Sequence, residues 1–349
     1  MFKNCLRWSA GALAGGALLL GATSAFAGSD NSTDTYAGDV NGLALPAGTF
    51  LVLNYTGYRH SDEYVASANN IFSKLSGGKQ EFNSTGEIVT DILRFSYFAR
   101  LWDHPLVFEA AIPYAKVEEV NIGDLSHPAG GFGPQTSRSG VIDPVLFVTY
   151  GLIADPRGER FLGFTNYFYF PARRFDNTIQ VNTSTAGQYT WVPQLEYAEG
   201  LGKFAPGLKN VWVDVIANAS LHTDGDSPLA LRPGFQFDKL TQDNSYDIKA
   251  FLRYEFGQAT HVAVGIEKSW GGNQVASGGL AEAVLGQTSL GKDDFLKGHV
   301  QVAFPLAPDL HIATDFTHDF EREGGLKEDF TAEVRVTKFF LPSAEAPLK

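Results

Sequence analysis

The sequence predicts an all-β fold: a transmembrane antiparallel up-and-down β-barrel of about 12 strands, with long outer loops and short periplasmic turns. Three observations carry that expectation. Apolar and polar residues alternate with period two through segment after segment, as in strands with one dry and one wet face. The connections between those segments alternate in length, long then short. The composition, with 27 Phe and 13 Tyr against one Cys and one Met, suits strands better than helices. A mean hydropathy of -0.10, and the lack of an apolar run of about twenty residues after the leader, exclude a helical membrane protein.

Taken in order, the chain begins with an address. Lys3 and Arg7 give a positive start, an apolar stretch runs over 10–22, and Ala25-Phe26-Ala27 supplies the small-x-small pattern before a cleavage point. Residues 1–27 therefore read as a secretory signal peptide removed after Ala27. Cys5 lies ahead of the apolar stretch, so it is not the lipid-bearing cysteine of a lipoprotein. Cleavage changes the formal charge from -12 to -14 and removes the only Cys and the only Met. The exported chain then has no disulfide, thiol nucleophile or sulfur ligand for a metal. It must be held by its own core or by closure of a sheet. Residues 28–48 follow as a polar periplasmic segment or plug, 49–340 as the barrel, and 341–349 as a periplasmic tail.

Strands are expected near 49–60, 87–101, 106–117, 140–153, 161–170, 188–200, 210–222, 245–256, 260–270, 293–304, 310–320 and 328–340, each long enough to cross a bilayer at a tilt. Over 246–256, Ile248, Ala250, Leu252, Tyr254 and Phe256 share one face while Asp247, Lys249, Phe251, Arg253 and Glu255 share the other. Segment 330–340 repeats the pattern, with Val334, Val336 and Phe340 opposed to Glu333, Arg335 and Thr337. Pro113, Pro144 and Pro193 fall inside expected strands although proline cannot donate to a ladder; alternation on both sides keeps them there. Long connections at 61–86, 118–139, 171–187, 223–244 and 271–292 each precede a short one. An outer-membrane barrel with both termini on its tight-turn side sorts its loops in this way. The last connection, 321–326, is short where a long one is due. Trp102, Trp191, Trp270, Tyr55, Tyr114, Tyr150 and Phe340 lie at or near strand ends, where a bilayer interface takes amphipathic rings.

The polar alternates then face inward. Arg94 and Arg100 on the second strand, Glu109 on the third, Asp143 on the fourth, Glu196 on the sixth and Asp214 on the seventh open the candidate lining. Asp247, Lys249, Arg253, Glu255, Glu267, His299, His311 with Asp315, and Glu333 with Arg335 complete it. Inward aromatics Phe98, Tyr167, Tyr169, Trp212 and Phe251 offer surfaces for an aromatic solute, or serve as packing. The charges either orient and filter a solute or pair with one another in a narrow interior. Twelve strands fall between about eight, whose bore is filled by side chains, and about sixteen, which leave an aqueous channel. A small solute passes such a bore if a loop or residues 28–48 move.

Leu45-Pro-Ala-Gly-Thr-Phe50 leading into Asn54-Tyr55, Glu109-Ala-Ala-Ile-Pro113, Gly140-Val-Ile-Asp143, Phe168-Tyr-Phe-Pro171, Leu231-Arg-Pro-Gly-Phe235 and the terminal strand ending in Phe340 span nearly the whole mature chain. In these stretches the sequence resembles the outer-membrane β-barrel family associated with the meta-pathway of phenol degradation. The resemblance implies a bacterial outer-membrane location, a channel or transporter role, and a loose link to uptake of aromatic or other hydrophobic compounds. The last strand is similar to the C-terminal signal read by the outer-membrane assembly machinery, with two departures. Lys338 stands at a normally apolar position, and residues 341–349 follow the phenylalanine that usually ends such chains.

Other chemistry finds little footing. The charge of -12 argues against a nucleic-acid partner. His60, His261, His299, His311 and His318 lie in no Gly-x-Ser-x-Gly or His-x-Ser setting, and no zinc-protease motif is present. No catalytic residue, metal or cofactor is expected; His318-Asp319 is a weak acid–base pair at most. The expected partners are outer-membrane lipid, the assembly machinery and a small-molecule solute. A barrel that braces or binds without transporting is the alternative, and an outer-membrane hydrolase a more distant one.

Overall fold

A computed structural model describes residues 35–342 except 68–69, 71–72, 74–77, 123–137, 156–158, 172–186, 227–229, 233–234, 258 and 293. The expected signal peptide, residues 28–34 and tail residues 343–349 lie outside the described residues.

A sheet with one apolar and one polar face leaves two costly edges in lipid unless it closes. This sheet closes. Its twelve long strands are β1 (Phe50–Val65), β2 (Glu81–Leu101), β3 (His104–Ile122), β4 (Val145–Ala154), β5 (Arg160–Tyr169), β6 (Thr190–Gly200), β7 (Val211–His222), β8 (Ser245–Gly257), β9 (Thr260–Gly271), β10 (Asp294–Ala307), β11 (Leu310–Glu323) and β12 (Gly325–Phe340). Each pairs antiparallel with the next, and β12 returns to β1, with Phe50 opposite Phe340 and Val65 opposite Gly325. Among the described residues no helix is long and apolar enough to cross a membrane.

Several strands overrun their expected bounds at the outer end. The second covers 21 residues and the third 19, because backbone pairing continues above the apolar band from which the bounds were read. Pro144 corrects the expected 140–153 strand. Residues 142–144 are irregular, separating a short strand, Arg138–Val141, from β4. Pro113 and Pro193 do lie within strands. At Pro193 the ladder to β7 skips from Trp191 to Gln194, where the proline has no N–H to give.

Except for the last, the loops sort by side as parity requires. Trp102 and Asp103 alone join β2 to β3, both at positive φ, and Trp102 is 83% exposed at the tight-turn end. Gly324 alone joins β11 to β12: its φ is 88°, and a Cβ there would lie 1.8 Å from the Lys292 carbonyl oxygen, so only glycine fits. Two of the outer connections carry strands that the sequence does not indicate. Strands at 225–226, 239–242, 274–277 and 288–291 form a separate four-stranded sheet, with Leu240 and Ala276 buried within it and Phe237 buried just before its second strand.

Outward-facing Leu146, Leu195, Leu252, Ile266, Val300 and Val334 are exposed and form the apolar belt. Phe50, Tyr97 and Phe340 edge it toward the tight turns, and Tyr114, Trp191, Tyr246 and Trp270 toward the loops. Tyr55 is a correction: it is buried inside the barrel, since its parity places it with Leu51 and Leu53.

Candidate functional site

The parity that sends apolar residues to lipid sends polar ones to the barrel interior, where residues 35–45 lie. The segment enters beside β1 and β2: Gly48 donates its N–H to the Phe98 carbonyl (2.8 Å), and Phe98 donates to that of Thr49 (2.9 Å). A short 3-10 turn, Asp39–Ala44, then leads to Tyr36 and Thr35.

The wall holds the backbone of this segment. Ala37 N–H donates to Gln301 Oε1 at 2.8 Å, Gly38 N–H to Asp214 Oδ1 at 3.1 Å and Val40 N–H to Glu196 Oε1 at 2.9 Å. Arg335 Nη1 reaches both oxygens of Asp39, at 2.8 and 2.7 Å, and its guanidinium lies 4.2 Å over the Tyr36 ring. Tyr36 donates its hydroxyl to Glu333 (2.8 Å). Gly38, at φ 84°, brings the backbone against Arg253, which is 2% exposed, bonded twice to Asp214 (3.0 and 3.1 Å) and stacked 4.9 Å over Trp212. Gly163 makes room for the segment's Val40 and Leu43; a Cβ there would meet them at 3.4 and 3.5 Å.

The two walls differ. Across β2–β6, Arg94 pairs with Glu109 (2.7 Å), donates to the Tyr55 hydroxyl (2.9 Å) and lies 4.6 Å over Phe147, which stacks on Tyr167 at 4.7 Å. Ala111, Val145 and Val192 extend this into an apolar patch. Across β8–β12 and β1 the wall is ionic. Lys249 lies 3.5 Å from Glu267, and His299 sits between Glu267 and Asp315, 2.9 Å from each. Lys297 and Arg59 both reach Glu328 (3.1 and 3.3 Å), and Arg322 reaches Asp319 (3.0 Å). A low-dielectric interior makes such charges costly unless opposite signs meet, and adjacent strands supply them. A cavity of about 330 Å³ surrounds the segment, lined by Leu53, Phe98, Thr165, Tyr167, His261, His311 and Arg335 among others. A smaller one, about 50 Å³, lies between Thr35, Lys249, Lys297 and Glu333.

Most of the expected lining faces inward. Arg94, Glu109, Tyr167, Glu196, Arg253, His311 and Arg335 border the larger cavity; Lys249, Glu267, His299, Asp315 and Glu333 border the smaller. Trp212, Asp214, Asp247 and Phe251 are buried inside, and Tyr169 packs on the apolar patch. Arg100 is a correction. It is exposed at the rim and donates to the Asp103 carbonyl (3.1 Å), because β2 runs past the mouth of the barrel. Asp143 is buried but lies in the irregular 142–144 stretch rather than on a strand. His318 and Asp319 form no pair: neighbours on a strand face opposite ways, leaving His318 exposed and Asp319 buried against Arg322. Sequence reasoning missed Phe147, Gln301, Lys297, Glu328 and Arg59, which inward parity would have found. It also missed Tyr36 and Asp39, for which no periodic signal exists.

Two groups outside the spanning segments titrate unusually. The hydrogen bond from Lys338 holds the turn residue Asp309 below the usual carboxylate range, and a bond to Glu323 raises Lys292. The first of these gives the unexpected Lys338 a partner. Among the described residues no group of three or more His, Cys, Asp or Glu side chains is placed to hold a metal ion.

Twelve antiparallel strands closed around a polar, segment-filled interior define a barrel of the outer-membrane type. An outer membrane channel from Pseudomonas putida F1 has this fold: it superposes with a TM-score of 0.67 over 88% of this chain and 100% of that one, at 20% identity. The β domain of a Bordetella autotransporter matches over 84% and 100% of the two chains, with a TM-score of 0.46 and 10% identity. The toluene transporter TodX of Pseudomonas putida matches over 90% and 95%, at 0.38 and 12%. No protein-family model and no curated protein sequence matches the chain.

Proposed function

We propose that this chain is an outer-membrane channel that lets small hydrophobic or aromatic solutes diffuse passively through a narrow lumen, closed at rest by residues 35–48. One observation carries the reading: the lumen is filled by a polar-seated segment with about 330 Å³ of space left around it, instead of by interlocked wall side chains. An apolar cavity of about 150 Å³ accommodates benzene, so single-ring solutes fit beside a displaced segment. The apolar patch of Phe147, Tyr167, Val145 and Val192 offers such rings a surface, in line with the sequence resemblance. Export by a leader cleaved after Ala27, and assembly through the strand ending at Phe340, belong to the same proposal; a mature chain starting at Gly28 would support the first.

The pairing of the lumen charges favours a second reading, a barrel that binds or braces without transport. Planar-bilayer conductance and swelling of liposomes in small aromatic solutes separate the two. Channel activity is expected in both assays; a silent bilayer together with no swelling overturns it.

A further inference from the structure

We propose that His299 is the positioning residue that keeps the N-terminal segment seated, by fixing through Asp315 the orientation of the Gln301 amide that receives the Ala37 N–H. This rests on the reading of residues 35–48 as the movable part of a channel.

Gln301 is buried on β10, with its Oε1 accepting from Ala37 at 2.8 Å and its Nε2 donating to Asp315 Oδ2 at 3.0 Å. An amide has one accepting and one donating face. Reversed, it would set an NH2 group against the Ala37 N–H, and the segment would lose its acceptor. Only an acceptor on the far side holds the amide the right way round. Asp315 Oδ2, 3.0 Å from the amide nitrogen, is such an acceptor.

His299 holds Asp315 in that place. Its Nδ1 lies 2.9 Å from Asp315 Oδ2 and its Nε2 2.9 Å from Glu267 Oε2. Each ring nitrogen thus faces an acidic side chain, and the ring bridges the two. It is held edge-on to Phe251 on β8 at 5.4 Å. The other charged groups around it have close partners of their own. Lys249 on β8 is directed to Glu267, Lys297 on β10 and Arg59 on β1 to Glu328, and Arg335 on β12 to Asp39. Glu333 receives the Tyr36 hydroxyl. His299 is thus the basic side chain hydrogen-bonded to Asp315, and a chain of three hydrogen bonds runs from its ring to the segment's backbone.

The test is labelling of a single thiol. With Cys5 replaced by Ser, Gly42→Cys places a thiol on the segment where a Cβ would lie 3.9 Å from the Phe98 ring, an ordinary contact. Its reaction with a water-soluble maleimide in the refolded full-length barrel is normalised to that of Phe204→Cys, on a turn side chain that is 66% exposed. His299→Leu and Gln301→Leu are each expected to raise the normalised rate about tenfold, the equivalent of one buried hydrogen bond at about 1.4 kcal/mol. His299→Lys, which restores a donor between the two acidic side chains, is expected to return the rate to that of the parent. Folding is checked by heat-modifiable gel migration. Should His299→Leu not fold, Asp315→Asn takes its place with the same expected rise, since its amide no longer selects an orientation. An unchanged rate in Gln301→Leu or in the His299 or Asp315 variant overturns the proposal, as does His299→Lys labelling as fast as His299→Leu. Labelling reports movement, so these outcomes are independent of whether the barrel conducts.

Discussion

Replacing Gly38 with alanine is expected to unseat the N-terminal segment, while the same change four residues later does nothing. At φ 84°, residue 38 occupies the left-handed region, which costs a residue with a Cβ about 1 kcal/mol. The added methyl would lie 2.9 Å from both Cζ and Nη1 of Arg253 and 3.2 Å from its Nε. That guanidinium cannot retreat freely, being bonded twice to Asp214 and stacked on Trp212. Moving it weakens a charged hydrogen bond, worth about 1.5–3 kcal/mol. Together the two terms shift the seated-to-free ratio by about two to three orders of magnitude, at about 1.4 kcal/mol per decade. Gly42 has no such constraint, its nearest neighbour for a Cβ being the Phe98 ring at 3.9 Å. Single-channel recording in planar bilayers is the assay, with Gly38→Ala expected to give larger and more frequent openings than the parent and Gly42→Ala to match it. Equal conductance in Gly38→Ala and the parent, or equal effects of the two substitutions, would refute the reasoning.

Arg335→Met removes the cation that holds Asp39. Losing one partner of a fully buried pair costs about 3–5 kcal/mol, less here because the two side chains keep 13% and 22% of their exposure; bilayer recordings should show openings like those of Gly38→Ala. Gly265→Ala puts a Cβ 2.2 Å from the Phe251 ring, an overpacking of about 1–3 kcal/mol, read as a lower urea midpoint with conductance retained. Asp309 is held below the usual carboxylate range by Lys338, so the stabilisation from their pair is present above the unfolded carboxylate pKa and lost as pH falls through the folded value. Urea midpoints at pH 7 and pH 3 should differ less in Lys338→Leu than in the parent.

Side-chain period was the most legible property of the sequence, because it is a geometric consequence of the strand and not of its surroundings. Along β8 the faces are as expected: Asp247, Lys249, Phe251 and Arg253 face in, and Ile248, Leu252 and Tyr254 face out. Height along the barrel was not legible in the same way. Parity gives Arg100 an inward direction, yet it lies at the rim, since nothing local tells where a strand passes the mouth. Strand ends at the outer side were also hidden. Hydropathy stops informing where lipid stops, whereas the ladder of β12 continues to Gly325, with Leu326 and Glu328 turned inward. The candidate site was half visible for a different reason. Its walls follow from strand parity, but the seating of residues 35–45 depends on Glu196, Asp214, Gln301 and Arg335, which are distant in sequence and have no local signature that points to a segment.

The chemistry of that seat limits how firmly it can hold. Gln301, Asp214 and Glu196 would meet water once the segment left, so the bond to Gln301 contributes a net value of only about 0.5–1.5 kcal/mol and those to the two acidic side chains at most about 1.5–3 kcal/mol each. Against this, ordering each backbone residue costs about 1–2 kcal/mol. The apolar contacts of Val40, Leu43 and Tyr36 with Leu53, Phe98 and Phe161 are therefore what keeps the balance on the seated side, since water does not replace them. A segment held by such a small difference responds to one methyl group at Gly38 or to the orientation of one amide at Gln301. A segment packed throughout by apolar side chains would not respond in this way, and it would leave the lumen permanently closed.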